Sequence, residues 1–159
     1  MGAPAILFFG SDECLRGEVL KHSGLEVIRC ASVAELVRAI EETPRADAII
    51  FAEERGKELD EAVRAAKRRT GAVRVLFQHP WTVSNERDFD VVVRSGTAPE
   101  RWLEEIARTV VQSRGNAPQI PAVAGKGWRE IARELQTLRA RGAAGPGANG
   151  DQRGTTSEA

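Results

Sequence analysis

Cysteine and histidine are nearly absent from this chain, with two of each in 159 residues. Cys14 and Cys30 are too few for a disulfide framework and too far apart for a metal-knuckle spacing. His22 and His79 form no H-x-x-x-H pair or similar ligand pattern, so no metal site is expected. A prevailing charge is missing too: 23 basic and 23 acidic residues leave a formal net charge of +0. That removes the basic field on which sequence-independent nucleic-acid binding depends, and no nucleic-acid partner is expected. No apolar run exceeds strand length, which argues against a membrane-spanning helix. Gly10-Ser-Asp-Glu13 lacks the G-x-G-x-x-G fingerprint, so no nucleotide cofactor is expected either. The amino terminus carries no charged segment before its first apolar run, and Ile6 stands where a myristoylation signal has Ser or Thr. The expected location is the cytoplasm.

What is present is enough apolar residue, 42% of the chain, for one domain with a real core and some appendage. The most informative stretch is Ala46-Asp-Ala-Ile-Ile-Phe-Ala-Glu-Glu-Arg55. Its continuous apolar run, without alternation, reads as a central strand buried on both faces of a parallel sheet. Similar strands are expected at Ala5-Ile-Leu-Phe-Phe9, Leu25-Glu-Val-Ile-Arg-Cys30, Val73-Arg-Val-Leu-Phe77 and Asp90-Val-Val-Val-Arg94. Helical stripes separate them. Leu15, Val19 and Leu20 follow Asp12, which sits where a helix start wants an acceptor. Val33, Leu36, Val37 and Ile40 follow the capping box Ser32-Val-Ala-Glu35. Leu59, Ala62, Val63 and Ala66 precede a basic last turn, Lys67-Arg-Arg69, read as solvated. A second capping box, Thr97-Ala-Pro-Glu100, opens a helix with Trp102, Leu103, Ile106, Val110 and Val111 on its buried side.

Strands alternating with helices predict an α/β domain over 1–115, a doubly wound five-stranded parallel sheet of flavodoxin-like type. The connection 78–89 contains Pro80 and few apolar residues, so the fourth helix is expected to be shortened. A Pro- and Gly-bearing linker over 116–127 leads to an amphipathic helix over 128–141. Its Trp128, Ile131, Leu135 and Leu138 either pack back on the domain or dock a partner helix. The tail 142–159 is too poor in apolar residues to order itself.

Residues 5 to about 113 resemble the receiver domain of bacterial response regulators. The resemblance rests on Ile6-Leu-Phe-Phe9, Leu20-Lys-His-Ser-Gly-Leu-Glu-Val27, Ser32-Val-Ala-Glu-Leu36, Asp47-Ala-Ile-Ile-Phe-Ala52 and Thr97-Ala-Pro-Glu-Arg-Trp-Leu103. It implies a phosphoacceptor at the end of the third strand and Mg²⁺-binding acidic residues after the first. A hydroxyl after the fourth strand and a lysine after the fifth complete the switch. Here the acceptor position falls on Ala52, the acidic pair on Gly10 and Ser11, the hydroxyl on Phe77 or Gln78, and the lysine on Arg94. Nearly every switching position is lost while the scaffold remains, which resembles a degenerate, or pseudo-, receiver.

Ligands of open α/β sheets collect at the carboxyl ends of the strands, which makes Ser11, Asp12, Glu53 and Arg94 the candidate ligand edge. Glu53 is either a stand-in for the acceptor or a solvated carboxylate, and Asp12 either binds Mg²⁺ or caps a helix. Arg94 either binds an anion or lies free on the surface. Both cysteines are read as buried small hydrophobes. Trp81 and Trp128 are the candidate interaction residues. The expected function is a non-enzymatic, receiver-like interaction module of two-component signal transduction, with a protein partner, no cofactor and no response to aspartyl phosphorylation. The alternative is a small-ligand or anion sensor using the carboxyl edge. The sequence leaves the oligomeric state open.

Overall fold

The computed structural model describes residues 4–12, 14–52, 57–79, 85–115 and 128–143. Five parallel strands form one sheet in the order β2-β1-β3-β4-β5: β1 Ala5–Gly10, β2 Glu26–Cys30, β3 Ala48–Ala52, β4 Val73–Phe77 and β5 Val91–Val93. The helices are α1 Arg16–His22, α2 Val33–Glu42, α3 Lys57–Arg69, α4 Pro99–Gly115 and α5 Trp128–Ala143. The doubly wound, flavodoxin-like expectation holds.

The unbroken apolar run of β3 has a direct cause. Side chains alternate across the sheet, and here each side is a core. Ile6, Phe8, Ala48, Ile50, Val75 and Phe77 enter one layer, with Leu20 of α1 and Trp102, Ile106 and Val110 of α4. Leu7, Phe9, Ile49, Phe51 and Leu76 enter the other, with Leu36 and Ile40 of α2 and Leu59, Ala62 and Val63 of α3. The register aligns Gly10, Ala52, Phe77 and Val93 in one row across four strands. That row is the carboxyl edge of the sheet.

Local signals act where they were expected, with two exceptions. Ser32 Oγ accepts from the Glu35 N–H at 3.2 Å, and the Glu35 carboxylate accepts from the Ala31 N–H at 2.7 Å. Gly24, at φ 83°, closes α1 with its N–H donating to the Lys21 carbonyl, a left-handed cap that favours glycine. The box at Thr97 is not formed: its hydroxyl donates to the Arg94 carbonyl at 2.8 Å. The helix starts instead from the Ala98 carbonyl, which accepts from the Trp102 N–H. Lys67 is also not simply solvated, because its ammonium pairs with Asp88 at 2.5 Å.

Between β4 and β5 the described residues contain only a single 3-10 turn, Glu86–Asp88. Phe89 follows it and packs edge-on against Phe51, with ring centroids 5.7 Å apart. One phenylalanine thus supplies part of the cover that a helix between β4 and β5 would give. At the opposite edge Arg114, in the last turn of α4, pairs with the buried Asp47 ahead of β3. Among the described residues no helix is long and apolar enough to cross a membrane. The linker 116–127 and the tail from residue 144 lie outside the described residues.

Candidate functional site

Ala52 ends β3 with only 1% of its surface exposed, between Gly10 on β1 and Phe77 on β4. A methyl group therefore occupies the position that the receiver resemblance gives to the phosphoacceptor. Phe77 fills the neighbouring place. It is fully buried, meets Trp102 edge-on at 5.1 Å and 89°, and carries the Arg16 guanidinium 4.3 Å above its ring centroid. No nucleophile or hydroxyl stands at either position.

Asp12 is the one described carboxylate next to this row, and both of its oxygens are engaged. Its side chain is 3% exposed. One oxygen accepts from the Arg16 N–H at 2.6 Å, and the other from the Gly17 N–H at 3.0 Å and from the Arg29 guanidinium. Arg29 reaches it from β2, beside the ring of Phe8. A Cβ on Gly17 would lie 2.9 Å from both Arg29 Nη2 and Asp12 Oδ2. Glycine at this helical position thus admits the ion pair, although it costs about 1 kcal/mol of helix propensity against alanine. The capping alternative for Asp12 is realised. The Mg²⁺ that the receiver resemblance implies does not fit: the carboxylate already has the Arg29 guanidinium as its counter-ion, and no cluster of three possible ligands exists among the described residues.

The candidate edge does not converge. Ser11 is exposed after β1, and Arg94 is exposed after β5. Between β1 and β5 lie β3 and β4, so the two strand ends are three spacings apart, roughly 14 Å. Glu53 and Trp81 lie outside the described residues. A shallow cavity of about 250 Å³ lies between α3 and the 3-10 turn, lined by Leu59, Val63, Lys67, Asp88 and Phe89. A second, of about 140 Å³, lies by Thr70, Arg74, Asp90 and Ser113. Neither borders Ser11, Asp12, Ala52 or Arg94.

Trp128 is not a surface aromatic. It is 3% exposed and joins the same core layer as Trp102 and Val110. The 3-4-3 spacing of its helix serves packing onto α4, and partner contact through the indole is not available in this arrangement. Leu15 departs from its expected place in the α1 stripe. It precedes the helix at φ 53° and is 64% exposed. The cause is the Asp12 turn: the carboxylate holds the N–H groups of Arg16 and Gly17, and the Leu15 N–H donates to the Asp12 carbonyl at 3.2 Å. This left-handed conformation disfavours leucine, and exposure gives its side chain nothing in return. Leu15→Asn is expected to raise stability by about 0.5–1 kcal/mol. A urea midpoint moving downward would mean that the leucine has a packing role.

Cys14, on the same turn, is exposed, which corrects its expected burial. Cys30 is buried as expected, and desolvation, reinforced by Glu35, pushes its thiol up to about 11. A thiol reagent should label Cys14 in the native protein and Cys30 only on unfolding. Folding favours the protonated thiol, so this contribution is complete below the ordinary value of 9.0 and is lost as pH rises towards about 11. Urea titrations at pH 8 and above check the sign. Stability that does not fall over that interval would mean that Cys30 ionises without hindrance.

This geometry is a receiver-like fold, a doubly wound sheet, with a filled carboxyl edge. No protein-family model matches the chain, and no curated protein is similar to it in sequence. Solved structures are similar in fold. The adenylate cyclase from Rhodopirellula baltica aligns with a TM-score of 0.59 at 14% identity, over 87% of this chain and 98% of that one. A response regulator receiver domain protein from Clostridium thermocellum aligns at 0.55 and 17%, over 69% and 96%. The pseudo-receiver domain of the CikA protein aligns at 0.52 and 12%, over 75% and 100%. The fold is that of receiver domains, a pseudo-receiver among them.

Proposed function

We propose that this chain is a non-catalytic, receiver-like interaction module of bacterial signal transduction, which works in the cytoplasm by binding protein and is not switched by aspartyl phosphorylation. The observation that carries the reading is the row Gly10–Ala52–Phe77, in which the acceptor position is a buried methyl and its neighbour a locked aromatic ring. The place of a divalent cation is taken by the Arg29 guanidinium on Asp12. With no nucleophile at the Ala52 position and no metal ligand set among the described residues, phosphoryl transfer there lacks both its covalent step and its charge neutralisation.

Thermal melting with and without Mg²⁺ and beryllofluoride tests this. A ligand that binds only the native state raises the melting temperature, so an intact acceptor site would report itself. The expected result is no shift. A reproducible rise with both components present, and with neither alone, would restore a phosphoacceptor and overturn the reading.

A further inference from the structure

Helix α4 buries more of its circumference than a helix lying on a sheet requires. Trp102, Leu103, Glu104, Ile106, Ala107 and Val110 are all buried. At about 100° per residue these side chains spread over roughly 200°, about twice the stripe of an ordinary surface helix. Trp102, Ile106 and Val110 occupy one half of this arc, and Leu103, Ala107 and Glu104 the other. Helix α5 is the helix packed on α4, with Trp128 and Ile131 joining the shared core.

That cover is incomplete. Trp128, Ile131, Leu135 and Leu138 make a 3-4-3 seam, but only the first two are buried. Leu135 is half-buried and Leu138 is 57% exposed. The contact also takes polar groups out of water. The Trp128 indole N–H is buried and finds no acceptor among the described residues. Glu104 is buried on the far flank of the arc, held by Arg108 at 3.1 Å. Opening α5 would rehydrate the indole and withdraw Trp128 and Ile131 from the rim of the layer they share with α4, while the layer on the other face of the sheet, which holds no α5 residue, is untouched.

We propose that α5 is a displaceable cover over the second flank of α4, and that the partner displacing it presents an amphipathic helix with the same seam of large apolar residues at 3-4-3 spacing. The occupant is argued from α5 itself, which is a helix of this chemistry already seated there. The proposal rests on reading the chain as an interaction module, and it names the surface that the module uses.

Native-state hydrogen exchange on the full chain, followed by a peptide-binding assay, tests it. Amides of α5 should exchange at least ~100-fold faster than those of β3, through an opening that leaves the sheet intact. The full chain carrying Ile131→Asp should keep a cooperative melt and bind a fluorescein-labelled peptide of residues 128–143. The unsubstituted chain should bind that peptide at least ~10-fold more weakly, because its own tethered helix competes at an effective concentration of order millimolar. Exchange of α5 only at the rate of β3 would overturn the proposal. So would loss of the cooperative melt in Ile131→Asp, or absence of peptide binding to that variant up to about 1 mM. None of these readouts involves the phosphoryl mimic, so failure here and failure of the unswitched reading are separate results.

Discussion

Phe77→Ala should destabilise the domain by about 3–5 kcal/mol, the range for emptying a fully buried phenylalanine site. The side chain has 0% of its surface exposed and is held on two sides, by Trp102 edge-on and by Arg16 over its face. The ring pair adds about 0.5–1.5 kcal/mol beyond the area buried. The cavity cannot collapse easily, because Ala52 beside it is already small and Gly10 beyond it has no side chain. Urea denaturation measures the loss, with Phe77→Leu as a milder comparison that keeps most of the volume. A loss below about 1 kcal/mol would mean that the carboxyl edge is loosely packed. That result would undercut the proposed function, because a soft edge is one that can rearrange. A loss in the full range fits an edge where the resemblance puts a hydroxyl on Phe77 or Gln78 and the chain has fixed a ring at the first of them.

Much of this was legible in the sequence, and what was not shares one cause. The run in β3 announces burial on both faces because no polar residue interrupts it, and the two core layers on either side follow from that one feature. Ala52 and Phe77 are read directly, since a missing functional group is visible in the residue type. Strand ends were expected about one residue too long at β2 and β5, as is usual where pairing fades. The turn before α1 was not legible. Its conformation depends on Arg29, seventeen positions away from Asp12 in sequence and brought near only by the pairing of β1 with β2. A hint existed in Gly17, a glycine inside a short helix where alanine would serve better unless something occupies its Cβ space. Leu15 and Cys14 follow the same logic: their apolar character argued for burial, and the turn imposed by Asp12 turned them outward. Trp128 was readable only to its helical spacing, which serves equally a partner and the chain's own α4. The breadth of the apolar arc on α4, Leu103 and Val111 included, is the feature that favours self-packing.

Asp12→Ala should cost about 2–3 kcal/mol, because it removes a helix cap and a charge-assisted hydrogen bond together. The N–H groups of Arg16 and Gly17 lose their acceptor, and Arg29 loses its counter-ion. Arg29 is 46% exposed and can return to water, which limits the loss on that side. The reverse substitution is less forgiving. Arg29→Ala leaves a carboxylate with 3% exposure and two backbone donors, so the residual charge is buried. A double-mutant cycle between the two should therefore return a clear coupling, measured by urea denaturation of the four proteins. Gly17→Ala strikes both contributions together: its Cβ crowds Asp12 Oδ2 as closely as Arg29, so the gain of about 1 kcal/mol in helix propensity is offset by a disturbed cap and ion pair. Additive single substitutions would show that Asp12 acts only as a cap. In that event the guanidinium is not what neutralises the edge, and Mg²⁺ should be titrated against Arg29→Ala. Strong coupling carries the opposite consequence. A cation fixed to the polypeptide cannot exchange with solvent as a bound metal ion does, so the counter-ion of Asp12 stays in place when divalent cations are removed.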